Sequence, residues 1–387
     1  MDMTNNREIY FDNAATTRTD STAAKAALDA MTEYYGNPSS VHAKGLESAH
    51  ILKTARKSIT DALGYGKNDG RLIFTSCGTE ASNTAIFGAY KLYSKNCDNI
   101  VISDSEHPSV ENCAKELENC GVKVHRIPTK GGKLDLDFAD RVIDGKTFLV
   151  SCMLVNNETG AVYDTEALKK IRDKNAPKAI LHIDAVQGFM KINKKIACFD
   201  ADAVSISGHK IHAPKGVGAL YVRKAIRVFP RMIGGGQEDA LRSGTENLPG
   251  IAAFGAAAKN ADENRDNYAR IISDVNECTR KSIAEMCPGV LFNSGDGGFA
   301  KHILSISIPG VRSEIMLRYL SERGIYVSAG SACSSKHADN RVLTNFGLDY
   351  ARADSTLRLS FSRYNTTDEA KAFAEVLAQG IKRLKLK

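Results

Sequence analysis

The 387-residue sequence lacks the features that mark membrane and secreted proteins. It has no stretch of 18 or more apolar residues, so a membrane-spanning helix is not expected. Residues 1–17 are polar and acidic, without the basic and then apolar run of a secretory signal. We therefore expect a cytoplasmic protein that has no contact with a membrane.

Cysteine usage and charge exclude two further classes. The nine cysteines are irregularly spaced, and no two of them form a C-x-x-C pair, so neither a disulfide framework nor a zinc site is expected. The net charge of +7 comes from 52 basic and 45 acidic residues that are mixed along the chain. Because phosphate-backbone binding needs clustered lysine and arginine, direct binding of nucleic acid is not expected.

What remains is an ordinary globular composition, with 43% hydrophobic and 25% charged residues. A chain of this length exceeds what one hydrophobic core usually organises, which predicts two domains. Short apolar runs alternate with longer amphipathic stretches from residue 71 onwards. The predicted strands are Arg71–Thr75, Asn99–Ser103, Val122–His125, Thr147–Ser151, Ala179–Ile183 and Ala203–Ser207, with crossover helices at 79–94, 107–120 and 164–175.

Strand–helix alternation of this kind predicts an α/β fold with a largely parallel sheet, whose ligands bind beyond the carboxyl ends of the strands. The pattern changes after Pro249 and indicates a smaller α+β lobe. Its predicted elements are a long helical stretch at about 250–285, a strand at Ile303–Ile308, a helix near 313–324, a strand at Thr356–Phe361 and a final helix from Thr367. The Gly/Ser-rich piece Val327–Ser335 is interpreted as a mobile functional loop.

The strongest local signal is the end of the strand at Ala203–Ser207, which is followed at once by a histidine and Lys210. A lysine in such a turn is either a solvated charge or a Schiff-base lysine activated by desolvation. The rest of the chain favours the second reading.

Other strand ends supply what pyridoxal 5'-phosphate (PLP) requires. Asp184 closes one strand, and a carboxylate beside the pyridine nitrogen keeps that nitrogen protonated. Gly78 and Thr79 open a helix, where free backbone N–H groups suit a phosphate, although the same residues also fit a simple helix cap. His107 and Asn157 follow two more strands, where each could equally be a cap or turn residue.

With these residues assembled, the chain resembles the cysteine desulfurases (NifS/IscS-like) of the class-V aminotransferase superfamily. The resemblance spans nearly the whole chain. The matching motifs are Tyr10–Thr17, Gly36–Ser40, Cys77–Glu80, Glu106–His107, Asn156–Glu158, Asp184–Gln187, Ser207–Lys210, Arg242–Thr245, Ser328–Cys333 and Arg358–Arg363.

The resemblance implies a PLP-dependent fold of the aspartate-aminotransferase type (fold type I). Residues 15–250 would form the large PLP-binding domain, and residues 1–14 and 251–387 the small domain, whose catalytic cysteine loop covers about 328–356. It further implies that Lys210 carries PLP as a Schiff base, that Asp184 contacts the pyridine nitrogen and that His107 stacks on the ring and handles the substrate thiol proton. The other implied PLP contacts are Asn157 and Gln187 on the ring hydroxyl, and Gly78, Thr79, Ser207, His209 and the partner subunit's Thr245 on the phosphate.

Asn37 and Arg358 would bind the carboxylate of the substrate, L-cysteine. Cys333 would attack the substrate sulfur, which leaves a persulfide on Cys333 and releases L-alanine. The expected partners are a second copy of the chain, in a homodimer, and a sulfur-acceptor protein that serves iron–sulfur cluster assembly, tRNA thiolation or thiamin synthesis. No resident metal is expected, and any transient iron–sulfur contact would fall to Cys333.

Three alternatives stay open at this point. A cysteine in a Gly/Ser loop is by base rate inert, but the resemblance reverses this for Cys333. Cys77 beside the phosphate loop is either a second oxidisable thiol or a filler. A selenocysteine lyase or another class-V aminotransferase would keep Lys210, Asp184 and Arg358 without needing Cys333 as a sulfur carrier. A catalytically silent binding module of the same fold would bind no PLP.

Overall fold

The computed structural model of the chain describes residues 8–329 and 340–384. Within this part the strands, numbered in chain order, are β1 Ile9–Tyr10, β2 Gly70–Thr75, β3 Asn99–Ser103, β4 Lys123–Ile127, β5 Thr147–Met153, β6 Ile180–Asp184, β7 Ala203–Ser207, β8 Gly218–Arg223, β9 Leu291–Phe292, β10 Ile303–Ser307, β11 Ile325–Tyr326, β12 Ser328–Ala329 and β13 Thr356–Ser360. The helices are α1 Ser21–Thr32, α2 Ala43–Leu63, α3 Gly78–Tyr93, α4 Pro108–Asn119, α5 Leu136–Val142, α6 Thr165–Asn175, α7 Leu248–Glu263, α8 Arg265–Met286, α9 Ser313–Ser321, α10 Arg341–Phe346, α11 Tyr350–Asp354 and α12 Thr367–Leu384.

Seven of these strands form the main sheet, in the order β2-β8-β7-β6-β5-β3-β4. The strand β8 runs antiparallel to both of its neighbours, and the other pairs are parallel. Every residue of β5, β6 and β7 is buried, as expected of strands covered on both faces. The predicted α/β fold with a largely parallel sheet is therefore confirmed, and the ends of β2, β3, β5, β6 and β7 meet at one edge.

Helices cover both faces of this sheet. Val204 and Ile206 of β7 pack in one hydrophobic cluster with α2 and α7, whereas Ala203 belongs to the cluster on the opposite face, with α3 and α4. The three predicted crossover helices correspond to α3, α4 and α6. Gly64, at φ 94°, ends α2 in the left-handed region that glycine tolerates.

The second, smaller sheet has the order β12-β13-β10-β9 and is antiparallel throughout. Helices α8 and α12 pack on it around Leu304, Leu357 and Phe373. The N-terminal strand β1 joins this lobe by pairing with β11. No helix within residues 8–329 or 340–384 combines the length and apolar character needed to cross a bilayer.

The structure adds detail to two expectations for this lobe. The helical stretch expected at about 250–285 consists of two helices that meet at Asn264; α7 is Ala/Gly-rich and deeply buried, whereas α8 is amphipathic. The segment expected as a loop at about 328–356 contains β12, α10 and α11 in its described parts. The domain boundaries at 14 and 250 stay a prediction.

Candidate active site

Lys210 lies in a 3-10 turn, Gly208–Lys210, directly after β7. Its Nζ donates hydrogen bonds to the backbone carbonyls of Ala14 (2.6 Å) and Ala15 (2.7 Å), which belong to the N-terminal segment. Burial, followed by the charge of Arg358, lowers the pKa of Lys210 to about 8. This amine is thus far easier to deprotonate at neutral pH than an ordinary lysine, which is what a nucleophilic or proton-transferring lysine needs.

Asp184 ends the neighbouring strand β6 and is 5% exposed. Among the described residues, its carboxylate accepts one hydrogen bond, from the backbone N–H of Val186 at 2.9 Å. Burial raises the pKa of Asp184 to about 6, while this hydrogen bond and the charge of Lys210 lower it. A buried carboxylate with so few donors can bind a further cation or N–H group.

His107 follows β3 and caps α4, where its Nδ1 accepts from the backbone N–H of Ser109 at 3.1 Å. Although the residue is exposed at its surface, desolvation and then the charge of Lys210 lower the pKa of His107 to about 4. The preceding Glu106 is fully buried and accepts hydrogen bonds from Ser103 and from the backbone N–H of Met153. Desolvation therefore leaves the imidazole of His107 uncharged at neutral pH, with its Nδ1 directed at the Ser109 N–H.

The N-terminus of α3 lies at the same edge. Its cap residue, Cys77, makes no side-chain capping hydrogen bond. A Cβ built on Gly78 would approach Val186 Cγ2 to 2.8 Å and Ser207 Cβ to 3.4 Å, so only glycine fits there without a shift. The Thr79 side chain is exposed, and the buried hydroxyl of Ser207 has no hydrogen-bond partner in the described chain. His209 contacts Thr16 through Nδ1, and burial and then Lys210 lower its pKa to about 4.

Gln187 lies one turn beyond Asp184. Its Nε2 donates to the carbonyl of Ala14 at 2.9 Å, and its Oε1 accepts from the Nζ of Lys191 at 3.1 Å. The carbonyl of Ala14 thus joins Gln187 to Lys210, and the role of Lys191 in this link was missed from the sequence. Asn157 is half-buried, and its backbone carbonyl accepts a hydrogen bond from Arg358.

Arg358 enters the site from β13 of the smaller sheet and is 4% exposed. Its Nη1 donates to the Asn157 carbonyl at 2.9 Å, and its Nη2 forms an ion pair with Asp12 at 3.0 Å. Its Nε has no hydrogen-bond partner among the described residues. The guanidinium therefore joins both lobes at the edge of the main sheet and keeps an N–H available for a carboxylate.

Asp12 is a site residue that the sequence reasoning did not identify, although it lies in the quoted Tyr10–Thr17 motif. It pairs with Arg358 and also accepts a hydrogen bond from Ser328 Oγ at 2.7 Å. No pattern along the chain signals a contact between residues that lie this far apart.

Asn37 and Thr245 are not joined to these groups by any contact within the described residues. Asn37 is exposed, and its Oδ1 accepts from the backbone N–H of Ser39 in a local turn. Thr245 is also exposed, three residues after Arg242, which pairs with Glu80 in the first turn of α3.

Cys333 lies outside the described residues. Within residues 8–329 and 340–384, no group of three or more His, Cys, Asp or Glu side chains could hold a metal ion.

These features fit PLP. The uncapped start of α3, the glycine that admits a close approach and the unpartnered Ser207 hydroxyl suit a phosphate dianion. The buried Asp184 carboxylate suits a protonated ring nitrogen. Lys210, with its lowered pKa, is a suitable partner for an aldehyde.

Comparison with known proteins agrees with this geometry. The family model described as aminotransferase class-V matches residues 9–373. A cysteine desulfurase from Trichormus azollae is 37% identical over 380 residues, which cover 97% of this chain and 94% of the relative.

Solved structures are similar as well. A NifS-like protein superposes with a TM-score of 0.91 at 32% identity, covering 98% of this chain and 100% of the other. A protein titled SspA in complex with cysteine gives a TM-score of 0.79 at 30% identity and covers 92% of this chain and 100% of the other.

Proposed function

The chain belongs to the class-V aminotransferase family and is a cysteine desulfurase, and from this premise we propose that Cys333 receives the sulfur of L-cysteine as a persulfide. The observation that carries the proposal is the meeting of Lys210, Asp184 and Arg358 at one edge of the sheet, next to Ser328. Only three residues along the chain separate Ala329 from Cys333, so the chain tethers the thiol close to the site.

The proposed cofactor is PLP, which, when bound, supplies an electron-accepting ring that stabilises negative charge at the substrate Cα. Lys210 would hold it covalently and Asp184 would pair with its ring nitrogen. Gly78, Thr79, Ser207 and His209 would hold its phosphate, with Thr245 reaching in from the partner subunit. Asn157 and Gln187 would bind its ring hydroxyl, and His107 would stack against the ring.

Arg358 orients the substrate. Its unpartnered Nε and its remaining Nη hydrogens can donate two parallel hydrogen bonds to the carboxylate of L-cysteine. Because Asp12 already balances part of the guanidinium charge, the arginine is held in place before the substrate arrives. Asn37 is the proposed second contact to this carboxylate.

Two groups of the chain move protons in this account. The Nζ of Lys210, whose pKa is lowered to about 8, accepts the proton from the substrate Cα and later returns it. The imidazole of His107 would handle the proton of the substrate thiol. Burial lowers the pKa of both groups, since desolvation is the first cause of each shift.

The sulfur step belongs to Cys333. Its thiolate attacks the substrate sulfur, so an S–S bond forms while the C–S bond breaks, and the bonding electron pair stays on the carbon. Protonation of the carbon that has lost the sulfur then completes L-alanine. The persulfide on Cys333 is then passed to a sulfur-acceptor protein.

A homodimer is part of the proposal. Large apolar side chains are exposed around α1 and the start of α2, where a second copy would cover them. They are Leu28, Met31, Tyr35, Val41 and Leu46, which are 55%, 56%, 68%, 93% and 61% exposed. The exposed position of Thr245 is consistent with its reaching a partner's phosphate site. We propose that the dimer works in the cytoplasm.

The test is to incubate the PLP-loaded protein with L-cysteine and dithiothreitol. Alanine and sulfide should appear in equal amounts without any 2-oxo acid, and Cys333→Ser should abolish both. The matched control, Cys120→Ser, changes an exposed cysteine that lies far from Cys333 in the sequence, and it should be as active as the wild type. Turnover that requires a 2-oxo acid would instead indicate an aminotransferase, and activity on selenocysteine alone, independent of Cys333, would indicate a lyase.

A further inference from the structure

Arg341 begins α10, the first helix after the segment that carries Cys333, and its guanidinium bonds to the turn that carries His107. The Nη2 of Arg341 donates to the carbonyl of Glu106 at 2.8 Å, and its Nη1 donates to the carbonyl of Asp104. Asn345, one helical turn later, donates its Nδ2 to the same Asp104 carbonyl at 2.8 Å. Three hydrogen bonds therefore join α10 to the residues that precede His107.

The other end of the same segment is anchored at a different part of the site. Ser328 in β12 donates to Asp12, and it lies opposite Arg358 in the pairing of β12 with β13. Eleven residues, Cys333 among them, separate Ala329 from Arg341. The chain that carries the thiol thus starts beside the proposed substrate-binding arginine and returns beside His107.

We propose that Arg341 is a positioning residue for sulfur transfer, one that ties the Cys333-bearing segment to the His107 turn; this inference rests on the proposed function. In that function, the thiolate of Cys333 and the imidazole of His107 both act on the substrate sulfur. A single guanidinium fixes the backbone just before His107 and the chain eight residues after Cys333. Its hydrogen bonds are charge-assisted, which makes them stronger and more directional than neutral ones.

The surroundings of Arg341 favour a fixed position. Its side chain is 22% exposed, and the carboxylate of Glu111, which is 5% exposed, lies 3.9 Å away and balances its charge. Glu111 is itself held by Arg126 at 3.0 Å. The guanidinium therefore lies between α4 and α10 and is only partly exposed to solvent.

Helix α10 has other attachments that do not involve His107. Phe346 packs edge-on against Phe299, with their ring centroids 6.3 Å apart, and Leu343 is buried together with Leu348 and Ala353. These contacts should keep α10 docked when the guanidinium is removed. Loss of Arg341 is therefore expected to release the tie to His107 while the fold persists.

The test compares single-turnover persulfide formation by PLP-loaded wild type, Arg341→Met and Arg341→Lys at saturating L-cysteine. We expect the rate constant for Arg341→Met to fall at least about fivefold, since small misplacements of reacting groups cost up to about a hundredfold. PLP content and the KM for cysteine should stay within about twofold of wild type, because Arg341 contacts neither Lys210 nor Arg358. Arg341→Lys should recover part of the rate, since lysine can still donate to one of the two carbonyls.

The matched control is Arg318→Met, which removes an exposed arginine on α9 and should leave every readout unchanged. Arg341→Met at the wild-type rate, or a loss that merely follows PLP content, would contradict the inference and leave the proposed function intact. If Arg341→Met does not fold, Arg341→Lys decides, and a wild-type rate there contradicts the inference. Absence of persulfide in wild type and Arg318→Met alike would contradict the proposed function itself.

Discussion

Replacing Arg358 by alanine tests how the site recognises its substrate. The guanidinium of Arg358 makes two hydrogen bonds, to Asn157 and Asp12, and has an unpartnered Nε. Three of its five N–H groups are therefore available, and a carboxylate needs two of them. The variant keeps Lys210, Asp184 and the phosphate site, so PLP content should stay near the wild-type level.

The size of the effect follows from burial and charge. Removing one partner of a buried, hydrogen-bonded charge pair costs about 2 to 5 kcal/mol. Because Asp12 already offsets part of the positive charge of Arg358, we expect the lower half of that range, about 2 to 3.5 kcal/mol. At about 1.4 kcal/mol per factor of ten, kcat/KM for L-cysteine should fall about 30- to 300-fold, mostly through KM.

The assay is steady-state alanine production as a function of cysteine concentration. The control is Arg352→Ala, since Arg352 bonds to Asn293 and the Phe292 carbonyl and contacts none of the strand-end residues. That variant is expected to be less stable but to keep its KM. An Arg358→Ala protein that binds cysteine normally but loses PLP would refute the reasoning and assign Arg358 to the cofactor or the fold.

Two further predictions concern ionisable groups. Borohydride reduction of the PLP-loaded protein should attach the cofactor covalently to the Lys210 peptide. The Lys210→Ala variant should show no attached cofactor and essentially no turnover. Attachment of the cofactor to Lys191 would contradict the assignment. Burial raises the pKa of Glu106 to about 8, so the native chain keeps this proton to higher pH than the unfolded chain does. Glu106 should then contribute a fall in the free energy of unfolding of the cofactor-free protein as the pH rises from about 4.5 to 8, which is clearest above pH 6.5, where the lowered pKa values of His107 and His209 no longer oppose it. Denaturant titrations should show a smaller fall for Glu106→Gln, whereas the exposed control Glu116→Gln should behave as wild type.

The sequence alone predicted the family, the fold class and the activity, and the comparisons confirm all three. The residues at strand ends were also easy to find. Asp184 ends one short, mostly apolar run and Lys210 closely follows another, and in a parallel sheet such ends meet at one edge whatever the exact register. Their proposed roles toward PLP stay predictions.

Contacts between distant residues could not be predicted in this way. Asp12 and Arg358 meet because β1 joins the smaller lobe, and Arg341 reaches Asp104 because α10 docks on the large one. Neither arrangement leaves a periodic pattern in the sequence. The break between α7 and α8 was missed because Asn264 interrupts a run in which both halves favour a helix.

The central claim is that Cys333 carries the sulfur, and mass spectrometry tests it most directly. PLP-loaded protein is mixed with L-cysteine, quenched with an alkylating reagent, digested and analysed peptide by peptide. The account predicts one additional sulfur atom on the peptide that contains Cys333, formed at the same rate as alanine. Sulfur that appears first on Cys77 or another cysteine, or full alanine production by Cys333→Ser, would contradict it.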